Sequence, residues 1–278
     1  MSPGADGGVT ASGATDLASE PQAGVARLGE LELYYETLGT GPPLVLIHGA
    51  LMTIGLMNDY RALLAANRQV IAVELQAHGR TPDIARPLRY ELLADDIAGL
   101  LDHLGLAQAD VIGYSLGAAV AMQVAIRHPG RVRRLVCMSV SYRTEGMHAE
   151  MTEAVDVDSS IEQLDGSPFQ HAYQAVAPDP GRWPDLVRKV LELDAQPQDW
   201  PAEQVSGIQA PTMLVAGDND IVRLEHAVEM YHLLGGGVFG DVHGLPPSRL
   251  AIIPGTTHIG ISQRAEWVVP MVAEFLDA

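Results

Sequence analysis

The sequence predicts an α/β protein: a mostly parallel central sheet with helices on both faces and a mostly helical insertion. Three observations predict it. Short apolar runs of strand length alternate with amphipathic segments of helical period, the pattern of a parallel sheet with crossover helices. That alternation lapses between about 142 and 207 and then resumes. The third is length: 278 residues can bury a full core with no disulfide or metal staple.

The elements follow in order. Residues 1–24 are Gly/Ala/Ser-rich with almost no large apolar side chains, which reads as a disordered tail. RLGELELYYETLG forms an antiparallel hairpin turning at Gly29-Glu30. PLVLIHG (43–49) is a strand and 54–66 a helix. QVIAVEL (69–75) is a strand, and YELLADDIAGLLDHLG (90–105) carries apolar residues at helical intervals. ADVIGY (109–114) is a strand, 116–128 a helix, and RVRRLVCMSV (131–140) a strand. PTMLVAG (211–217), a helix near 222–234, RLAIIPG (249–255) and a closing helix at 262–277 complete the chain. The core is therefore expected at 25–141 and 208–278, with 142–207 as a lid over one end of the sheet.

Composition narrows the function. Seventeen basic residues against 35 acidic give a net charge of −18, which disfavours nucleic acid and anionic membrane surfaces as partners. No apolar run is long enough for a membrane span. The amino terminus lacks a basic, apolar leader, and its first positive residue is Arg27, so cytoplasmic residence is expected. The single cysteine, Cys137, lies in an apolar run and reads as a buried small hydrophobe; it allows no intramolecular disulfide and no cysteine metal site. Neither a cofactor nor a metal is implied, and no signal bears on oligomeric state.

One short stretch carries chemistry. Gly113-Tyr114-Ser115-Leu116-Gly117 fits G-x-S-x-G between a strand and a helix, where a hydroxyl projects at the carboxyl edge of the sheet over free helix N–H groups. Gly113 and Gly117 keep side chains out of a tight turn. A Gly-Ser turn in any βαβ unit would show the same residues, so the decision rests on partners. A serine nucleophile needs a base held by an acid. His258, in PGTTHIG, follows a strand on the same edge, whereas His103, His128, His226 and His232 fall in or beside helices and read as solvated or capping residues. PTMLVAGDNDIV offers Asp220 and Asp218 at another strand end, with Asp220 the first choice. SVSYRT, past the strand before, offers no carboxylate. Oxyanion donors would be the main-chain N–H groups of Leu116 and, in HGALM, of Ala50, with Leu51 as fallback.

Taken together, LYYETLGTGPPLVLIHGA, VIAVELQAHGRT, ADVIGYSLGAAVAMQVAIRHPGRV, PTMLVAGDNDIV and PGTTHIG resemble, in family order, the α/β-hydrolase superfamily in its esterase, lactonase and cofactor-free haloperoxidase-like branch. The resemblance covers about 25–140 and 208–278. In that family the acid sits three residues after the strand-end glycine, which selects Asp220. Members that open epoxides or haloalkanes place Asp where Ser115 stands, so the resemblance implies hydrolysis of a small apolar ester or lactone through an acyl-enzyme. The alternatives are carbon–carbon bond hydrolysis or perhydrolysis on the same triad, and a ligand-binding or scaffold member without turnover. Two features depart from the family: Ala77-His78-Gly79-Arg80-Thr81 replaces the usual Gly-x-Gly-x-Ser turn, and the Gly-rich 235–248 loop is long and is expected to be mobile, packing near the lid. In the lid, Met147, Met151, Phe169, Tyr173, Trp183 and Trp200 could shape a substrate pocket.

Overall fold

A computed structural model describes residues 20–151 and 156–278. Eight strands form one sheet in the order β1-β2-β4-β3-β5-β6-β7-β8. They are β1 (Gln22–Leu28), β2 (Leu31–Leu38), β3 (Pro43–Ile47), β4 (Gln69–Val73), β5 (Ala109–Tyr114), β6 (Val132–Met138), β7 (Thr212–Asn219) and β8 (Arg249–Thr257). β1 and β2 pair as a hairpin and β2 joins β4 antiparallel; β4, β3, β5, β6, β7 and β8 run parallel. The central helices are α1 (Asn58–Leu64), α2 (Tyr90–His103) and α3 (Leu116–Arg127). The insertion holds α4 (Val157–Gln163), α5 (Pro168–Gln174), α6 (Trp183–Asp194) and α7 (Ala202–Ser206). After β7 come α8 (Leu224–Leu233), α9 (Gly240–His243), α10 (His258–Ile261) and α11 (Ala265–Asp277).

Strand pleating divides the core into two clusters on opposite faces. In β3, Val45 and Ile47 join the cluster containing α2, α3 and α8 residues, while Leu44 and Leu46 join the one containing α1 and α11 residues. β4 alternates likewise, with Ile71 and Val73 on one side and Val70 and Ala72 on the other. A strand covered on both faces is apolar throughout, which is why these runs read as continuous. Each fully buried Leu, Ile or Val contributes about 1.5–3 kcal/mol relative to exposure. Ala118, Ala119 and Ala121 are buried, letting α3 lie close beneath the sheet edge it starts from.

The structure shifts several boundaries. Of the expected tail, 1–19 lie outside the described residues, and Gln22–Gly24 belong to β1, paired with Tyr35–Thr37. The helix expected at 54–66 splits into a 3-10 turn, Ile54–Met57, and α1. β6 ends at Met138 because Ser139 turns out of the strand at φ 55°. The 235–248 loop, expected near the lid, leads instead into the amino-terminal end of β8, the opposite end of the parallel sheet from Ser115, and there exposes Phe239, Val242 and Leu245.

Within the insertion α4 and α5 pack on α6, while α7 packs against α3 and α8. Phe169 of α5 touches both core clusters, which only a residue over the edge of the sheet can do. Lys189 of α6 donates to Asp83 and to the Ile84 and Arg86 carbonyls of the loop after β4. Tyr173 and Trp183 are buried in packing, Met151 is exposed, and Trp200 meets the Tyr90 ring edge-on at 5.6 Å. No helix among the described residues is long and apolar enough to cross a membrane.

Candidate active site

The turn between β5 and α3 is made by its glycines. A Cβ at Gly113 would lie 2.1 Å from the Gly117 carbonyl oxygen, and one at Gly117 would lie 2.4 Å from that of Ile47. Ser115 occupies φ 53°, ψ −119° at the start of α3. A left-handed conformation at a residue with a Cβ costs about 1–3 kcal/mol and persists only where neighbours enforce it. Such residues are confined to one rim. All four among the described residues, Leu51 (φ 62°), Ala77 (67°), Ser115 (53°) and Ser139 (55°), follow the carboxyl ends of β3, β4, β5 and β6.

On that rim three side chains separated in sequence meet. His258 Nε2 lies 2.9 Å from Ser115 Oγ, and His258 Nδ1 lies 2.8 Å from Asp220 Oδ1. Tyr114 steadies the histidine: its hydroxyl donates to the His258 carbonyl at 2.9 Å, and its ring lies 5.3 Å from the imidazole. Asp220 is buried, and burial alone would raise its pKa. The contact and charge of His258 oppose this, aided by Ser139 Oγ at 2.6 Å and the Gly217 N–H at 3.1 Å, and hold the carboxyl below its ordinary value.

Asp218 is elsewhere. Its exposed carboxylate accepts the Gly255 and Thr256 N–H groups, both at 2.9 Å, which lowers its pKa and ties down the end of β8 that leads to His258. The N–H groups of Ala50 and Leu116 have no acceptor among the described residues, whereas that of Leu51 is engaged by His78 Nε2 at 3.1 Å. A cavity of about 160 Å³ lies between the loop after β4 and the insertion, lined in part by Thr81, Asp83, Tyr173 and Arg182; Ser115, Asp220 and His258 do not line it.

Several contributors had no sequence signal. Ser139, in the run where a carboxylate was sought, instead donates to Asp220. His226, expected to be solvated, is buried between Ser141 Oγ at 2.9 Å and Glu229, stacked on Tyr142. Cys137 is buried as expected, and burial raises its thiol pKa far above the usual range.

His48 and His78 form a second buried pair, with ring centroids 4.9 Å apart. Each Nδ1–H donates to a carbonyl, Gly49 and Gln76 respectively, and each Nε2 accepts a main-chain N–H, from Leu75 and Leu51. Burial disfavours the charged, protonated rings, and for His78 the neighbouring His48 adds to the cost, so the pKa values fall to about 4 and about 3. An unfolded chain binds those protons near pH 6.5, so the unfolded state holds more protons as pH drops below that value. Stability therefore falls with acid from about pH 6.5 until each folded value is passed, by about 1.4 kcal/mol per pH unit per histidine. The thermal midpoint, followed by circular dichroism from pH 7 to pH 4.5, should drop steadily, and His78→Gln should flatten the slope. An unchanged slope in that variant counts against a neutral His78.

A model of the α/β hydrolase fold family matches residues 42–182, just over half of the chain. The chain belongs to the α/β-hydrolase fold family. Relatives of this α/β-hydrolase include 2-hydroxymuconate semialdehyde hydrolase of Pseudomonas sp. (strain CF600), 37% identical over 123 residues, a match spanning 42% of each chain. Pimeloyl-[acyl-carrier protein] methyl ester esterase of Neisseria meningitidis serogroup B (strain H44/76) is 29% identical over 252 residues, 84% of this chain and 92% of the relative. In fold, the chain is similar to the enol-lactonase of Burkholderia xenovorans LB400, with a TM-score of 0.69 at 20% identity over 92% of this chain and all of that one.

Proposed function

We propose that this α/β-hydrolase is a serine hydrolase that cleaves an uncharged carboxylic ester or lactone through an acyl-enzyme. The observation that carries the reading is the alignment of Ser115 Oγ, His258 and Asp220, at 2.9 and 2.8 Å, above the start of α3. His258 Nε2 takes the hydroxyl proton as Ser115 Oγ bonds to the acyl carbon, and Asp220 stabilises the imidazolium. The oxyanion is held by the Leu116 and Ala50 N–H groups, at the positive end of a helix. Collapse breaks the bond to the leaving oxygen, which takes the proton from His258. Water then adds to the acyl carbon, giving its proton to His258, and Ser115 leaves with that proton as the carboxylic acid forms.

The insertion acts as the lid. All four of its cations are already paired: Arg143 with Glu229, Arg182 with Asp83 and Asp185, Arg188 with Asp185, and Lys189 with Asp83. A substrate carboxylate would find no free partner there, which favours an uncharged acyl or alcohol group beside Phe169. The second reading, carbon–carbon bond hydrolysis on the same residues, is favoured by the likeness to 2-hydroxymuconate semialdehyde hydrolase, whose substrate is named as a carboxylate.

Kinetics on p-nitrophenyl acetate, butyrate and octanoate, beside a 2-hydroxy-6-oxo-dienoate, separate the two. Ester kcat/KM at least about 10²-fold above that for the dienoate supports the first reading, a factor two bound specificity contacts routinely supply. The reverse order overturns it. Absence of both turnovers, with no fluorophosphonate adduct at Ser115, overturns both.

A further inference from the structure

The oxyanion loop poses a question that the Ser115–His258–Asp220 alignment does not answer. Leu51 is held at φ 62°, where a residue with a Cβ rarely rests, two positions after Gly49. Inside the loop the turn is closed by one bond, Met52 N–H to Gly49 O at 3.3 Å, and a second hold comes from outside. The Leu51 N–H meets His78 Nε2 at 3.1 Å, on a ring carried by the loop after β4, 27 residues away.

We propose that His78 is a positioning residue, one that locks the Gly49–Met52 turn so that the Ala50 N–H is left to face the oxyanion. The inference rests on the serine hydrolase reading and adds a residue that touches neither substrate nor Ser115. His78 is fully buried and its orientation is fixed at both ends. Nδ1–H donates to the Gln76 carbonyl at 2.9 Å, so the neutral ring carries its proton there and offers Nε2 as an acceptor. Its own backbone is pinned as well: the His78 N–H donates to Leu75 O and Thr81 N–H donates to His78 O. Ala77, at φ 67°, swings the chain so that the next side chain points inward. His48, packed 4.9 Å from His78, accepts the Leu75 N–H and so fixes the far side of the same loop.

The consequence concerns which N–H groups serve the reaction. With Leu51 N–H consumed by His78, Leu51 is removed as an oxyanion donor and Ala50 remains, its N–H free of any acceptor among the described residues. Without an acceptor at position 78, only the Met52 N–H to Gly49 O bond, at 3.3 Å, is left to hold the left-handed Leu51. The turn relaxes and one of two donors leaves the oxyanion. Losing a single donor of this kind lowers turnover by about 10²–10³-fold, with little effect on ground-state binding.

The test compares His78→Leu, which keeps bulk without an acceptor, with His78→Gln, whose carbonyl oxygen reaches the Nε2 position. Both are made in the full chain and assayed on p-nitrophenyl butyrate. His78→Leu should lose about 10²-fold in kcat with KM within about twofold, and bind a butylboronic acid more weakly by a similar factor. His78→Gln should stay within about tenfold of the parent. Leu51 amide hydrogen exchange, read by NMR on the unreacted protein, should quicken in His78→Leu and stay slow in His78→Gln. Full kcat in His78→Leu, or equal losses in both variants, overturns the proposal. The amide exchange keeps the two readings distinguishable: if the parent hydrolyses no ester, the hydrolase reading fails while the exchange still reports whether His78 holds Leu51. Slow Leu51 exchange in His78→Leu overturns the anchor whatever the activity.

Discussion

Replacing Ser115 with alanine should lower ester kcat by about 10⁵-fold or more, the largest loss of any single substitution in this chain. The hydroxyl is the group that bonds to the acyl carbon in the proposed reaction, and no neighbour replaces it. Cys137 is buried in the core, and Ser139 Oγ is committed to Asp220. His258→Ala should fall almost as far, because a serine at its ordinary pKa is a poor nucleophile without a base. The double variant should be no worse than either single one, since residues acting as one unit are not additive. Residual catalysis above water would come from the donors at Ala50 and Leu116. Stopped assays on p-nitrophenyl butyrate give the rates, and intact mass after fluorophosphonate treatment gives the adduct. The adduct should vanish in Ser115→Ala and form very slowly in His258→Ala. Ser115→Ala with undiminished turnover would place the nucleophile elsewhere.

The sheet was legible because its chemistry is local. Runs such as PLVLI and QVIAV are apolar on both faces, and YELLADDIAGLLDH repeats at helical spacing, so order and type could be read without contacts. The meeting of Ser115, Asp220 and His258 could be anticipated for a topological reason. Parallel strands all end on one edge, so residues just past strand ends converge whatever their separation in the chain. What could not be read depends on backbone turns and on long-range register. Ser139 is an ordinary strand-end serine until a left-handed φ aims its hydroxyl at Asp220. His78 is one histidine among ten until the loop after β4 brings it to Leu51. His226 showed only a helical position, and its burial comes from the segment entering the insertion, which folds over it at Ser141 and Gly146. The insertion itself resisted because short amphipathic helices specify a buried face without saying what they cover.

The two aspartates at the carboxyl end of β7 lie two residues apart, and their substitution should give opposite outcomes. Asp220→Asn should lower kcat by about 10⁴-fold, as removal of the orienting carboxylate does in other Ser-His-Asp enzymes. The amide keeps the size but offers no charge to an imidazolium, and it can present N–H to His258 Nδ1, favouring the tautomer with its proton on the wrong nitrogen. The Asp220 carboxylate is held by His258, Ser139 and the Gly217 and Val222 N–H groups. Asp218→Asn should leave kcat within about tenfold, because its exposed carboxylate holds only the Gly255 and Thr256 N–H groups, and an amide oxygen can still accept one of them. The depressed pKa of Asp220 keeps its carboxylate charged beside His258, and asparagine at 220 removes that charge while asparagine at 218 leaves it in place. A large loss in Asp218→Asn with a mild one in Asp220→Asn would exchange the two assignments.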